Sequence, residues 1–115
     1  MPMTETYVSI EPARGDVDAF AGATLLEFGA PWCGFCRSAQ PLISQAFAGH
    51  DAVRHLKIED GSGLPLGRSF GVKLWPTLVF MRDGKELGRL VRPTSADAIA
   101  RALELIDSPA QEDAD

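Results

Sequence analysis

Two hydrophobic periodicities alternate along the first half of the chain. Thr24 to Gly29 (T-L-L-E-F-G) is a near-continuous apolar run, the pattern of a strand buried on both faces. Ala39, Leu42, Ile43, Ala46 and Phe47 then recur at helical spacing, with Gly49 as a stop signal. Pro41 falls inside that helix and is expected to kink it. Val53 to Ile58 predicts a second strand, and Leu64 to Phe70 a short helix opened by Pro65. Upstream, Tyr7 to Ile10 is a short β-prone run closed by Pro12 and Gly15. Asp16 to Ala21 has room for one or two helical turns capped by Asp16. The segment before Thr24 is short, so this first helix should be stunted.

The second half changes character. Thr77 to Met81 is apolar and β-prone, Asp83-Gly84 offers a type I′ turn, and Lys85 to Val91 returns as the second arm of a hairpin. Ser95 can then cap a helix with Ile99, Ala102, Leu103 and Ile106 on one face, ending near Pro109. Strands joined by helices, then a hairpin, then a last helix predict an α/β fold with a central mixed sheet flanked by helices.

Composition adds exclusions. The 115 residues are 45% hydrophobic and 23% charged, an ordinary globular balance for one domain. No apolar run reaches the length of a membrane span, and two cysteines cannot staple a miniature scaffold. The formal charge of −5 is concentrated after Ile106, where Asp107, Glu112, Asp113 and Asp115 meet no basic residue. Removing those four leaves 12 acidic residues against 11 basic ones. A near-neutral body without a basic patch argues against nucleic acid as a partner, and nothing points to a membrane. The first residues carry neither a cationic start nor an apolar stretch of signal-peptide length, which points to the cytoplasm. The expected organisation is an N-terminal extension over 1–6, one domain over 7–107 and an acidic disordered tail over 108–115.

Cys33 and Cys36 are the candidate chemistry. They stand in Ala30-Pro31-Trp32-Cys33-Gly34-Phe35-Cys36-Arg37, where a buried strand ends and an amphipathic helix begins. A thiol at a helix N-terminus meets unpaired backbone N–H groups and the positive end of the macrodipole, both favouring the thiolate. Two intervening residues bring the second sulfur round one turn, within reach of a disulfide. The first cysteine is expected exposed and attacking, the second more buried and resolving, an asymmetry suited to thiol–disulfide exchange. Cys33-x2-Cys36-x13-His50-x4-His55 also satisfies a zinc-finger spacing. However, a helix from Gly34 to Ala48 would carry His50 roughly 20 Å from Cys36 at about 1.5 Å per residue. The order of hairpin and helix is also reversed relative to a finger. No metal or cofactor is therefore expected.

From Tyr7 to Ile106 the chain resembles the thioredoxin family. Trp32-Cys33-Gly34-Phe35-Cys36 resembles the active-site W-C-G-P-C motif, and Pro41 stands where that family carries its helix-kinking proline. Trp75-Pro76-Thr77, after Phe70-Gly71-Val72, looks like the segment holding the family's cis-proline. Phe80 to Gly84 with Lys85 resembles the closing hairpin. The resemblance implies the thioredoxin fold. It makes Cys33 the attacking and Cys36 the resolving cysteine, and Pro76 the cis-proline facing them. Trp75 would offer its backbone to an extended substrate, and Trp32 would pack beside the sulfurs.

Glu27 interrupts the buried strand six residues before Cys33, where the family usually has a buried aspartate linked through water to the resolving cysteine. Burial strengthens a carboxylate as a base, so Glu27 would accept the proton of Cys36. By register, His55 falls where the family often carries a lysine near that acid; it would titrate near neutral pH there, unless it is an ordinary exposed strand histidine. His50 reads as surface. Gly34 and Phe35, between the cysteines, tune the reduction potential, and Phe35 replaces the family's proline. Trp75 is bulkier than the usual aliphatic residue, and Arg92 stands near a position that often carries glycine.

The resulting expectation is a monomeric dithiol–disulfide oxidoreductase acting on disulfide-containing client proteins and re-reduced by an upstream disulfide reductase. The competing readings are an isomerase- or oxidase-like relative, and a binding module that keeps the fold without the chemistry.

Overall fold

A computed structural model describes residues 3–107. The tail expected over 108–115 lies outside the described residues. Four strands form one sheet in the order β2-β1-β3-β4: β1 (Ala23–Gly29), β2 (Arg54–Glu59), β3 (Thr77–Arg82) and β4 (Lys85–Val91). β1 pairs parallel with β2 and antiparallel with β3, which forms the hairpin with β4, so the sheet is mixed. Every residue of β1 is buried, as its apolar run implies for a strand covered on both faces.

Helices α2 (Gly34–Ala46) and α4 (Ala96–Asp107) cover one face; α1 (Arg14–Asp18) and α3 (Pro65–Ser69) lie on the other. The side chains divide accordingly. Leu25, Ile43, Leu78, Phe80, Ile99, Leu103 and Ile106 belong to the first layer of core. Val17, Leu26, Phe28, Ile58, Leu66, Val79 and Met81 belong to the second. Pro41 lies within α2, where it leaves the Arg37 carbonyl without its i+4 donor. Ser95 caps α4 through its Oγ, which accepts the Ala98 N–H at 3.2 Å.

Several boundaries differ from expectation for identifiable reasons. α1 starts two residues earlier than Asp16, and Ala13 precedes it without a side-chain cap. The contacts of Arg14 set that start: it pairs with Asp18 at 2.9 Å, donates to the Ser69 carbonyl at 2.7 Å and lies over the Phe70 ring. The β-prone run at Tyr7 is reduced to a single parallel bridge with Lys57, continued by Val8 N–H donating to the Lys57 carbonyl. That bridge covers the outer edge of β2. Among the first described residues, Met3 packs on the α2–α4 layer and Thr4 bonds to β2.

The hairpin turn has φ of 51° at Asp83 and 82° at Gly84, the left-handed pair that a type I′ turn requires. Asp83 also ties the turn to β1, accepting the Gly22 N–H on Oδ1 at 2.7 Å. A Cβ on Gly84 would meet the Asp18 carbonyl oxygen at 1.9 Å. Gly84→Ala should therefore cost more than the about 1–2 kcal/mol of left-handed strain alone, because the end of α1 must also move. Urea unfolding measures this; an unchanged midpoint would refute the packing of the turn on α1.

Candidate active site

β1 delivers the chain into the site and α2 receives it. Cys33 is the N-cap of α2, with its Sγ accepting the Cys36 N–H at 3.2 Å. This is the contact expected of a thiolate at a helix start. Both cysteines are free and both are buried: Cys33 is 7% and Cys36 2% exposed. The expected order of exposure holds, but Cys33 is recessed rather than open. Cys36 reaches its position because Gly29, at the end of β1, has no side chain; a Cβ there would meet the Cys36 Sγ at 2.5 Å. Burial, reinforced by the Cys33 hydrogen bond, pushes the Cys36 thiol up to about 12, so it stays protonated at neutral pH.

The Trp75–Pro76 bond is cis, as the resemblance implied. The two tryptophans lie at different depths. Trp75 packs against the Ala30, Cys33 and Cys36 cluster, fixed by its indole N–H donating to Asp60 at 2.9 Å. Trp32 does not lie within that cluster; it is 68% exposed and stands edge-on to Trp75. Gly34 opens α2, and Phe35 projects outward, 58% exposed.

These features decide the comparison with known proteins. A thioredoxin family model matches residues 14–105. The chain belongs to the thioredoxin family. It is 34% identical over 84 residues to a thioredoxin of Chlamydia muridarum, covering 72% of this chain and 81% of that protein. It is 40% identical over 87 residues to protein disulfide-isomerase A2 of Pongo abelii, covering 70% of this chain but only 17% of the relative. Three of the curated relatives are thus far longer, the chain spanning 17–18% of each. Among solved structures, thioredoxin 2 of Pseudomonas aeruginosa in its reduced form superposes with a TM-score of 0.81 at 52% identity, covering 90% of this chain and 97% of that one. A C-x-x-C pair in the thioredoxin fold is the arrangement of a thiol–disulfide oxidoreductase.

Beside the dithiol stands the buried acid. Glu27 is 0% exposed, and both its oxygens are engaged. Oε2 accepts from the Gln40 amide at 2.7 Å, and His55 Nε2 lies 2.9 Å from Oε1. His55 Nδ1 accepts the Thr4 N–H at 3.0 Å, which assigns the ring proton to Nε2 and makes His55 the donor to Glu27. His55 is therefore not an exposed strand histidine. The position opposite Glu27 is held by Lys57, two residues along from the register expected for His55. Its Nζ is 3.9 Å from Glu27 Oε2 and donates to Gln40 Oε1 at 3.0 Å.

Sequence reasoning missed Gln40, Lys57 and Tyr7. Lys57 carried a usable signal, since His55 and Lys57 stand two residues apart, on one face of their strand, just as Glu27 interrupts the apolar run of its own. Gln40 follows Cys36 by one helical turn, and its amide donates to the Cys36 carbonyl at 2.9 Å. Tyr7 carried none: its hydroxyl sits beside the space left open at Gly29. Burial, then the neighbouring Cys36 and Glu27, raise the pKa of that phenol and keep it protonated. A cavity of about 220 Å³ is lined by Tyr7, Cys36, Gln40 and Lys57 but not by Glu27. Gln40 and Lys57 thus stand between the cavity and the acid. His50, expected at the surface, is partly buried instead, 2.7 Å from Asp107 at the end of α4.

The protonated Cys36 makes a measurable prediction. Iodoacetamide at neutral pH should add one carbamidomethyl group to the reduced protein, on Cys33. In Cys33→Ser, labelling of Cys36 should accelerate only well above pH 9. Rapid labelling of Cys36 at pH 8 would contradict its burial.

Proposed function

We propose that the protein reduces disulfides of client proteins, with Cys33 attacking and Cys36 resolving. The observation that carries this reading is the asymmetry of the pair: one sulfur caps a helix and accepts an N–H, while the other is buried and kept protonated. In the first step the Cys33 thiolate attacks one client sulfur, forming a mixed disulfide and releasing the other as a thiolate that takes up a proton. In the second, Cys36 loses its proton and attacks Cys33, releasing the second client thiol and leaving a Cys33–Cys36 disulfide. Two electrons pass to the client. Pro76 and Trp75 border the groove that receives it, and Trp32 extends its apolar rim.

Deprotonating Cys36 is the demanding step, and Glu27 is our candidate base for it. The cavity beside Cys36 holds the route, and Gln40 and Lys57 line its passage to the carboxylate. His55 acts by orienting Glu27, and Gly34 and Phe35 set the balance between dithiol and disulfide. We place the protein in the cytoplasm as a monomer, where an upstream disulfide reductase can return the dithiol. No helix among the described residues is long and apolar enough to cross a membrane.

Insulin reduction driven by dithiothreitol tests the assignment. Cys33→Ser should abolish it, and activity surviving that substitution would refute the reading. Cys36→Ser should retain clients as mixed disulfides. Glu27→Gln, close in shape to the native side chain, should slow turnover at least about tenfold while iodoacetamide labelling of Cys33 stays fast. Unchanged turnover would remove Glu27 from the mechanism.

A further inference from the structure

Arg92 follows β4 directly, at a φ of 49°. A non-glycine residue in that region is strained, so its side chain is the place to look for compensation. The backbone there is fixed by Arg92 N–H donating to the Pro76 carbonyl at 2.9 Å. The side chain turns back over the dithiol loop. Its Nε donates to the Trp75 carbonyl at 2.9 Å, and its guanidinium carbon lies 4.0 Å from the centre of the Phe35 ring. Arg92 therefore bonds to the carbonyl of Trp75, the residue whose backbone was expected to face a substrate.

Only one of its five N–H donors is used in these contacts. No carboxylate among the described residues pairs with Arg92, although Arg14, Arg89 and Arg101 each have one. The three segments bordering the dithiol, 31–37, 71–76 and 92–95, contain Arg37, Lys73 and Arg92 and no acidic residue. Asp60, beside Trp75, accepts the indole N–H. A guanidinium stacked on an aromatic ring and held by a carbonyl has already lost much of its rotamer freedom. It is thus prepared for a planar bidentate partner. On its far side a mostly apolar groove of about 280 Å³ runs between α2 and the β4–α4 connection, lined by Phe35, Leu42, Arg92 and Pro93.

We propose that Arg92 is a specificity-determining residue that receives an Asp or Glu side chain next to the client's disulfide, so that clients with acidic flanks are preferred. This rests on the dithiol reading above. The carboxylate would pair with the free edge of the guanidinium, and the client's apolar residues would lie along Phe35 and the adjoining groove. Its backbone would address Trp75 only through the amide side.

Two disulfide peptides that differ only by Glu or Gln beside the cysteine provide the test. The wild type should show kcat/KM about three- to tenfold higher for the Glu peptide, mostly through KM, and the advantage should shrink at high salt. Arg92→Gly suits the left-handed backbone and should bring the ratio near one. Arg92→Lys, which keeps the charge but not the planar fork, should retain part of it. An equal kcat/KM for the two peptides in the wild type, or a ratio that survives in Arg92→Gly, overturns the proposal. If the wild type reduces neither peptide, the dithiol reading fails. Equilibrium binding of the same peptides then decides the role of Arg92, with equal affinities overturning it.

Discussion

A carboxylate at zero exposure in the central strand is the constraint to which the rest of the site answers. Removing such a charge from water costs several kcal/mol unless other groups replace its hydration. Glu27 receives that replacement from three residues on two elements: Gln40 on α2, and His55 and Lys57 on β2. The His55 bond depends in turn on the Thr4 N–H, so even the first described residues are drawn into the arrangement. Glu27 points toward α2, where Gln40 meets it. Its carboxyl group reaches past the sheet surface into the space beneath α2, where an isolated charge would have no solvent.

The same arrangement shapes the thiol chemistry. Cys36 is pressed against Gly29 on the strand that carries Glu27, and the turn between strand and helix leaves no room for a bulkier residue there. Burial protects the thiol from reaction until it is needed. It also creates the need for a base, because a thiol raised to about 12 cannot resolve a mixed disulfide unaided at neutral pH. Protection and assistance are two consequences of one burial. Gln40 joins them physically, bonding the Cys36 carbonyl and the Glu27 carboxylate with one amide.

The fold was legible because its signals are local. The near-continuous apolar run of β1, the Asp83-Gly84 turn and the Ser95 cap each dictate backbone geometry within a few residues, and each forms where expected. The cysteines were legible for the same reason, being a strand–helix junction with a fixed spacing. The surroundings of Glu27 were not, because they depend on strand register. A parallel pairing displaced by two residues keeps every side chain on its face yet exchanges His55 for Lys57 as the direct neighbour, and hydrophobic pattern cannot distinguish the two. The start of α1 escaped for another reason: Arg14 finds its partners 55 residues away, at Ser69.

Two of the departures from the family pattern, Phe35 and Arg92, belong together physically. With proline at position 35 there would be no aromatic face for a guanidinium to lie on. With glycine at 92 the exposed Phe35 ring would lack its cover, and the Trp75 carbonyl would be open. Each residue alone is a cost: an exposed aromatic ring on one side, a strained backbone on the other. Side by side, ring and cation offset one another and convert an apolar rim into one carrying a fixed positive charge. The burial of Cys36 is held from the opposite side, by Gly29 and Gln40. The burial of the resolving thiol and the recognition rim therefore rest on different contacts, and Phe35, in the first turn of α2, links the rim to the dithiol. The recognition surface could change in this chain without disturbing the burial that governs the thiols.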